Sequence, residues 1–188
     1  MRLIPTQLNG AFLIEPQVFG DNRGWFMESY NEQKLLEAGV NVPVFIQDNH
    51  SYSAQKGIVR GLHCQLAPYA QTKLIRCTRG EIEDVIVDIR KGSPSFGKHI
   101  KVLLSAQNKR QLLIPKGFLH GFVTLTDDVE VQYKVDAYYN KSADRSVRYD
   151  DPAFGIDWGV SAPVLSDKDK NAPLLAESDV AFAYGGDV

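Results

Sequence analysis

Aliphatic, β-branched and aromatic residues enter this chain in short blocks broken by turn formers, a spacing that suits strands and leaves little room for helices. The blocks at 11–14, 24–30, 58–63, 73–77 and 81–89 are predicted strands, and so are 99–104, 110–114, 121–125 and 129–135. Arg79-Gly80 and Asp127-Asp128 fall at turn positions between strands. One helix is predicted, with Asn31 as N-cap, residues 32–38 as its body and Gly39 just past its end. Many short strands with a single short helix specify an all-β sandwich or barrel.

The 188 residues suit one domain. With 21 Lys and Arg against 23 Asp and Glu, the net charge of -2 argues against a nucleic-acid partner. Hydrophobic residues at 44% and charged residues at 23% are globular proportions, which sets disorder aside. No apolar run approaches the roughly 20 residues of a membrane helix, and Met1 to Pro5 is too short for a signal sequence. No membrane partner and a cytoplasmic location are therefore expected. Cys64 and Cys77 form neither a CxxC pair nor a disulfide framework.

Chemistry in such a fold is sought among titratable residues inside strands. By alternation Tyr133 shares a face with Val129, Val131 and Val135, and Lys73 with Ile75 and Cys77. His63 ends an apolar strand, followed by Gln65. Taken singly, a core aromatic, a snorkelling lysine and a packed histidine are the ordinary readings. Pro115-Lys116-Gly117-Phe118-Leu119-His120 matches the PxGxxH half of the cupin signature, whose other half is an HxH pair with a Glu. Here that position reads His63-Cys64-Gln65, and an uncharged Gln is a poor ligand for a divalent transition metal. A cupin-shaped barrel without metal or cofactor is the expectation.

A collinear series of blocks then carries a specific resemblance. Asp21 to Glu28, Gln47 to Ser51, Gly57 to Gln65, Gln71 to Leu74, Gly80 to Arg90, Gly92 to Gly97 and Ile114 to Phe122 resemble the dTDP-4-dehydrorhamnose 3,5-epimerase family. The series continues through Tyr133-Lys134 and Tyr139 to Leu165-Ser166-Asp167-Lys168-Asp169. The resemblance implies a metal-independent, cupin-like jelly roll of one domain over 1–188. It also implies a homodimer that exchanges N-terminal strands at about 1–30, with 171–188 left as a C-terminal tail. The implied reaction inverts C3 and C5 of dTDP-4-dehydro-6-deoxy-D-glucose through enolates, a step of dTDP-L-rhamnose biosynthesis. Relatives that invert C3 alone or C5 alone are the near alternative, and a metal-dependent cupin enzyme the distant one.

The same resemblance assigns roles residue by residue. His63 matches the base, Tyr133 the acid, Lys73 the enolate stabiliser, and Asp169 the carboxylate that pairs with the base; Asp84 competes for that last role. Arg23 and Arg60 match diphosphate contacts, and Phe26 and Tyr139 the residues that stack on thymine. Glu28, Gln47, Asp48, Asn49 and Asp144 supply polar nucleotide contacts, with His120 and Lys168 at the sugar and phosphate end. Strict alternation would place Arg60 and His63 on opposite faces, a conflict that a bulge at Gly61 would resolve. The chain departs from the family's usual pattern at Cys64, Leu119, Asp144 and Trp158-Gly159.

Overall fold

The structure, a computed structural model, describes residues 1–185. In chain order its strands are β1 (Arg2–Pro5), β2 (Phe12–Glu15), β3 (Val18–Asp21), β4 (Gly24–Met27), β5 (Gln47–Ser53), β6 (Val59–Gln65), β7 (Lys73–Arg79) and β8 (Glu81–Asp88). There follow β9 (Arg90–Lys91), β10 (His99–Ser105), β11 (Gln111–Ile114), β12 (Phe118–Thr124), β13 (Val129–Val135), β14 (Asp144–Ser146) and β15 (Phe182–Ala183). Two short helices, α1 (Glu32–Glu37) and α2 (Asp167–Lys170), complete the inventory together with a 3₁₀ turn at Leu175–Glu177. The fold is all-β and cupin-like, as expected.

Two antiparallel sheets face each other, one of six strands in the order β1-β2-β11-β7-β13-β5 and one of five in the order β10-β8-β12-β6-β14. Between them pack Ile75, Leu112 and Val131 from the first and Ile82, Ile86, Leu104 and Phe122 from the second. The five-stranded sheet is covered on its outer side as well, where Leu62, Val85, Leu119 and Val123 meet Phe154, Trp158, Val180 and Phe182. This double cover explains why every residue of β12 is buried and why its sequence shows no polar alternation. Each fully buried aliphatic or aromatic side chain contributes roughly 1.5–3 kcal/mol, so these two layers hold the barrel together.

The expected helix forms over Glu32–Glu37, with Ala38 as its C-cap, the Asn31 side chain accepting from Lys34 N–H and Gly39 at φ +89° just beyond. Its Leu35 is buried against Ile14, Leu74 and Leu113. Three expectations need correction. The strand predicted over 24–30 stops at Met27, because β4 pairs only with β3 in a hairpin apart from both main sheets. The polar run Gln47–Ser53, not predicted as a strand, pairs with β13 along its whole length, since its backbone closes that sheet edge. The segment expected as a tail is instead docked: Val180 and Phe182 are buried, and β15 runs parallel to β9. Arg90 reinforces that docking, its guanidinium lying over the Phe118 and Tyr184 rings. The last residues of the expected tail, 186–188, lie outside the described residues.

Candidate active site

The chemistry-bearing side chains converge on a cavity of about 410 Å³ between the two sheets, lined by Ser51, Arg60, His63, Lys73, His120, Phe122, Tyr133, Lys168 and Asp169 among others. Local backbone irregularity makes this convergence possible. In the pairing of β6 with β12 the register shifts between His120, opposite His63, and Phe122, opposite Arg60. Gly61 sits at that bulge with φ +131°, and a Cβ there would lie 2.6 Å from Gly121 Cα. The shift turns Arg60 and His63 toward the same cavity, where plain alternation would have separated them.

His63 Nε2 lies 2.5 Å from Asp169 Oδ1. Asp169 is almost wholly buried on α2, and its other oxygen accepts from Gly61 N–H at 3.4 Å. Burial pushes the Asp169 carboxyl up, but the His63 hydrogen bond and charge, with Gly61 and Ser166, outweigh it and leave the group below its ordinary value. With Nε2–H donated to a carboxylate, Nδ1 is left as the basic nitrogen of the ring. Asp84 does not reach His63. It faces His120 instead, with Oδ2 2.9 Å from Nε2, so the two cavity histidines, opposite each other on β6 and β12, each have their own aspartate.

Lys73 and Tyr133 come from β7 and β13, on the opposite sheet. Burial pulls the Lys73 ammonium below the usual lysine value and pushes the Tyr133 phenol above its own. Arg60 is braced at the rim by Ser53 Oγ (3.0 Å) and the Tyr52 carbonyl (2.8 Å). A hydrogen-bonded rim continues from there: Gln47 donates to Asn49 and accepts from Tyr139 N–H, while Asp144 Oδ2 accepts from Lys168 at 2.5 Å and from the Tyr139 hydroxyl at 3.3 Å.

Four expected site residues stand elsewhere in this chain. Asp48 follows strand alternation to the sheet's other face and pairs there with its cross-strand neighbour Lys134 at 2.9 Å. Arg23 pairs with Asp21 at 2.6 Å on the separate hairpin, where Phe26 is 66% exposed. Glu28 binds Lys34 and Asn31. None of the four lines the cavity of its own chain: Asp48 faces away from it, and the hairpin that carries Arg23 and Phe26 and leads into Glu28 pairs with neither main sheet.

Gln65 is engaged in structure: its amide donates to the Tyr69 and Tyr138 carbonyls and accepts from Asn140 N–H. Among the described residues no group of three His, Cys, Asp or Glu side chains is placed to hold a metal ion. Two contributors escaped sequence reasoning. Ser53 braces Arg60, and Ser166 caps α2 by accepting from Asp169 N–H at 3.1 Å. A serine three residues before an acid is a helix-start pattern, which was the available signal for Ser166.

Residues 5–177 match the family described as dTDP-4-dehydrorhamnose 3,5-epimerase. The chain belongs to that family. The dTDP-4-dehydrorhamnose 3,5-epimerase of Shigella flexneri is 52% identical over 180 residues, covering 95% of this chain and 98% of the relative. Among solved structures, the Bacillus anthracis epimerase with TDP and PPi bound superposes with a TM-score of 0.90 at 52% identity, covering 93% of this chain and 99% of that one. The Legionella pneumophila epimerase in complex with dTDP-4-keto-L-rhamnose gives 0.89 at 44% identity, covering 95% and 94%.

Proposed function

We propose that this chain inverts C3 and C5 of dTDP-4-dehydro-6-deoxy-D-glucose to give dTDP-4-dehydro-L-rhamnose. The observation that carries the reading is the placement of base and acid on facing walls, His63 on the five-stranded sheet and Tyr133 on the six-stranded one. The C4 ketone of this sugar acidifies the C3 and C5 protons. His63 takes such a proton, and Asp169 steadies the imidazolium that forms. Negative charge then develops on the C4 oxygen, where the Lys73 ammonium stabilises the enolate. Tyr133 returns a proton from the other side, and the centre is inverted. Arg60, His120 and Lys168 hold the diphosphate and sugar, with Gln47, Asn49, Tyr139 and Asp144 around the nucleotide.

The second half of the nucleotide site comes from another copy of the chain. The β3–β4 hairpin pairs only with itself and exposes Phe19, Trp25 and Phe26, which suits an arm exchanged in a homodimer. Arg23, Phe26 and Glu28 then reach the partner's cavity. The deciding experiment is turnover of the 4-keto sugar nucleotide in D₂O with NMR of the product. Deuterium at both C3 and C5 of an L-configured sugar is expected. Label at one centre replaces the reading with single-centre epimerisation, and label at neither overturns it.

A further inference from the structure

Asp84 is fully buried in β8, and the fold treats its two oxygens unequally. Oδ2 accepts from His120 Nε2 at 2.9 Å. Oδ1 is buried and meets no hydrogen-bond donor among the described residues. A buried carboxylate oxygen with no donor is costly, and its persistence points to a compensating electrostatic role. The cations around it narrow that role. Lys73 faces the same interior from β7, and the groups that act on its ammonium are Cys64 from β6, Asp84 from β8, Asp144 from β14 and Lys168 from α2. Burial pushes the Cys64 thiol up to about 11, so it carries no charge near neutral pH. Asp144 is already bound by Lys168 at 2.5 Å and by the Tyr139 hydroxyl. Of the anions facing Lys73, Asp84 alone is both buried and free at one oxygen. His120, on β12, is acted on by the same Asp84, by Lys73 and by His63.

We propose that Asp84 is a positioning residue for the epimerisation: Oδ2 fixes the His120 ring, and the unpartnered Oδ1 supplies the countercharge that keeps Lys73 an ammonium inside the cavity. The inference rests on reading Lys73 as the enolate stabiliser. It separates two jobs that one carboxylate performs, holding a substrate-binding ring and preserving the charge of the electrophile. An opposite charge in the same buried interior favours the charged form, so removing it lets the lysine lose its proton at lower pH.

The test uses the whole enzyme labelled with ¹⁵N-lysine, the Lys73 Nζ signal being the one that vanishes in Lys73→Met. In Asp84→Asn the Lys73 titration is expected to move down by about one pH unit or more, and the alkaline limb of kcat with it. His120→Gln, which keeps the carboxylate, is expected to leave the titration at or above that of wild type. Asp84→Ser serves as a second neutral variant, and Asp84→Glu is expected to restore the titration. An unmoved Lys73 titration in a folded neutral variant, or an equal fall in His120→Gln, overturns the proposal. So does a wild-type Lys73 already neutral at pH ~7. The titration is read without substrate, so a failed turnover assay would count against the substrate reading alone.

Discussion

Replacing Asp169 by Asn removes one charge at almost constant shape from the group that holds the base. The carboxylate is buried, 2.5 Å from His63 Nε2, and held in place by the Ser166 cap on α2. In the proposed step His63 becomes an imidazolium, and its hydrogen bond to the Asp169 carboxylate becomes an ion-paired one. Such bonds contribute about 1.5–3 kcal/mol. At about 1.36 kcal/mol per tenfold change in rate, the loss corresponds to roughly one to two decades in kcat. An Asn side chain also offers an N–H to Nε2 and so favours the wrong tautomer, which adds to the loss. The assay is initial-rate epimerisation of dTDP-4-dehydro-6-deoxy-D-glucose alongside deuterium incorporation at each centre. Exchange at C3 and C5 should fall together, since both depend on the same ring, while dTDP affinity stays close to wild type. Rates within a few-fold of wild type, or a loss confined to one centre, would refute the assignment.

Tyr133→Phe removes only a hydroxyl and should lower epimerisation by roughly 10²–10⁴-fold while deuterium still enters with retained configuration; a rate within a few-fold of wild type would return Tyr133 to a packing role. Activity should survive exhaustive chelation, because the Gln65 amide is engaged with three backbone groups; loss restored only by added metal would contradict this. Asp88 gives an acid-stability prediction. Burial pushes its carboxyl up, but Arg90, Ser93 and Ser95 outweigh burial and bring it down to about 2. Its folded value lies below the unfolded one, so its contribution of about 2 kcal/mol is present above pH ~4 and is lost as pH falls toward ~2. Thermal melts across that window should show a steeper decline for wild type than for Asp88→Asn, and parallel declines would refute the assignment.

Strand alternation was enough to place Tyr133 and Lys73 on inward faces, because β7 and β13 are regular where those residues sit. It failed at Arg60 and His63, whose common direction depends on a register shift that no two-residue period contains. The edge strand Gln47–Ser53 escaped for a related reason: its place is secured by backbone pairing with β13, and its polar side chains carry no hydrophobic pattern. The choice between Asp84 and Asp169 as the partner of His63 was beyond any local signal, since both are acids remote from it in sequence. Only the path of the chain from β14 back to β6, ending in α2, separates them. Asp48 illustrates the converse limit, for a block can match a family while one of its residues faces the other way.

His63 and Asp169 are 106 positions apart in the chain. A ribosome adds roughly 5–20 residues per second, and N-terminal parts fold first. Every strand of the two facing sheets, and with them His63, Lys73 and Tyr133, is therefore made before Asp169 exists. Asp169 joins His63 only with the short helix near the end of translation, when it docks beneath the bulge at Gly61. Truncated products that stop short of that helix would lack the carboxylate beside His63, and with it the cover that Val180 and Phe182 give the five-stranded sheet.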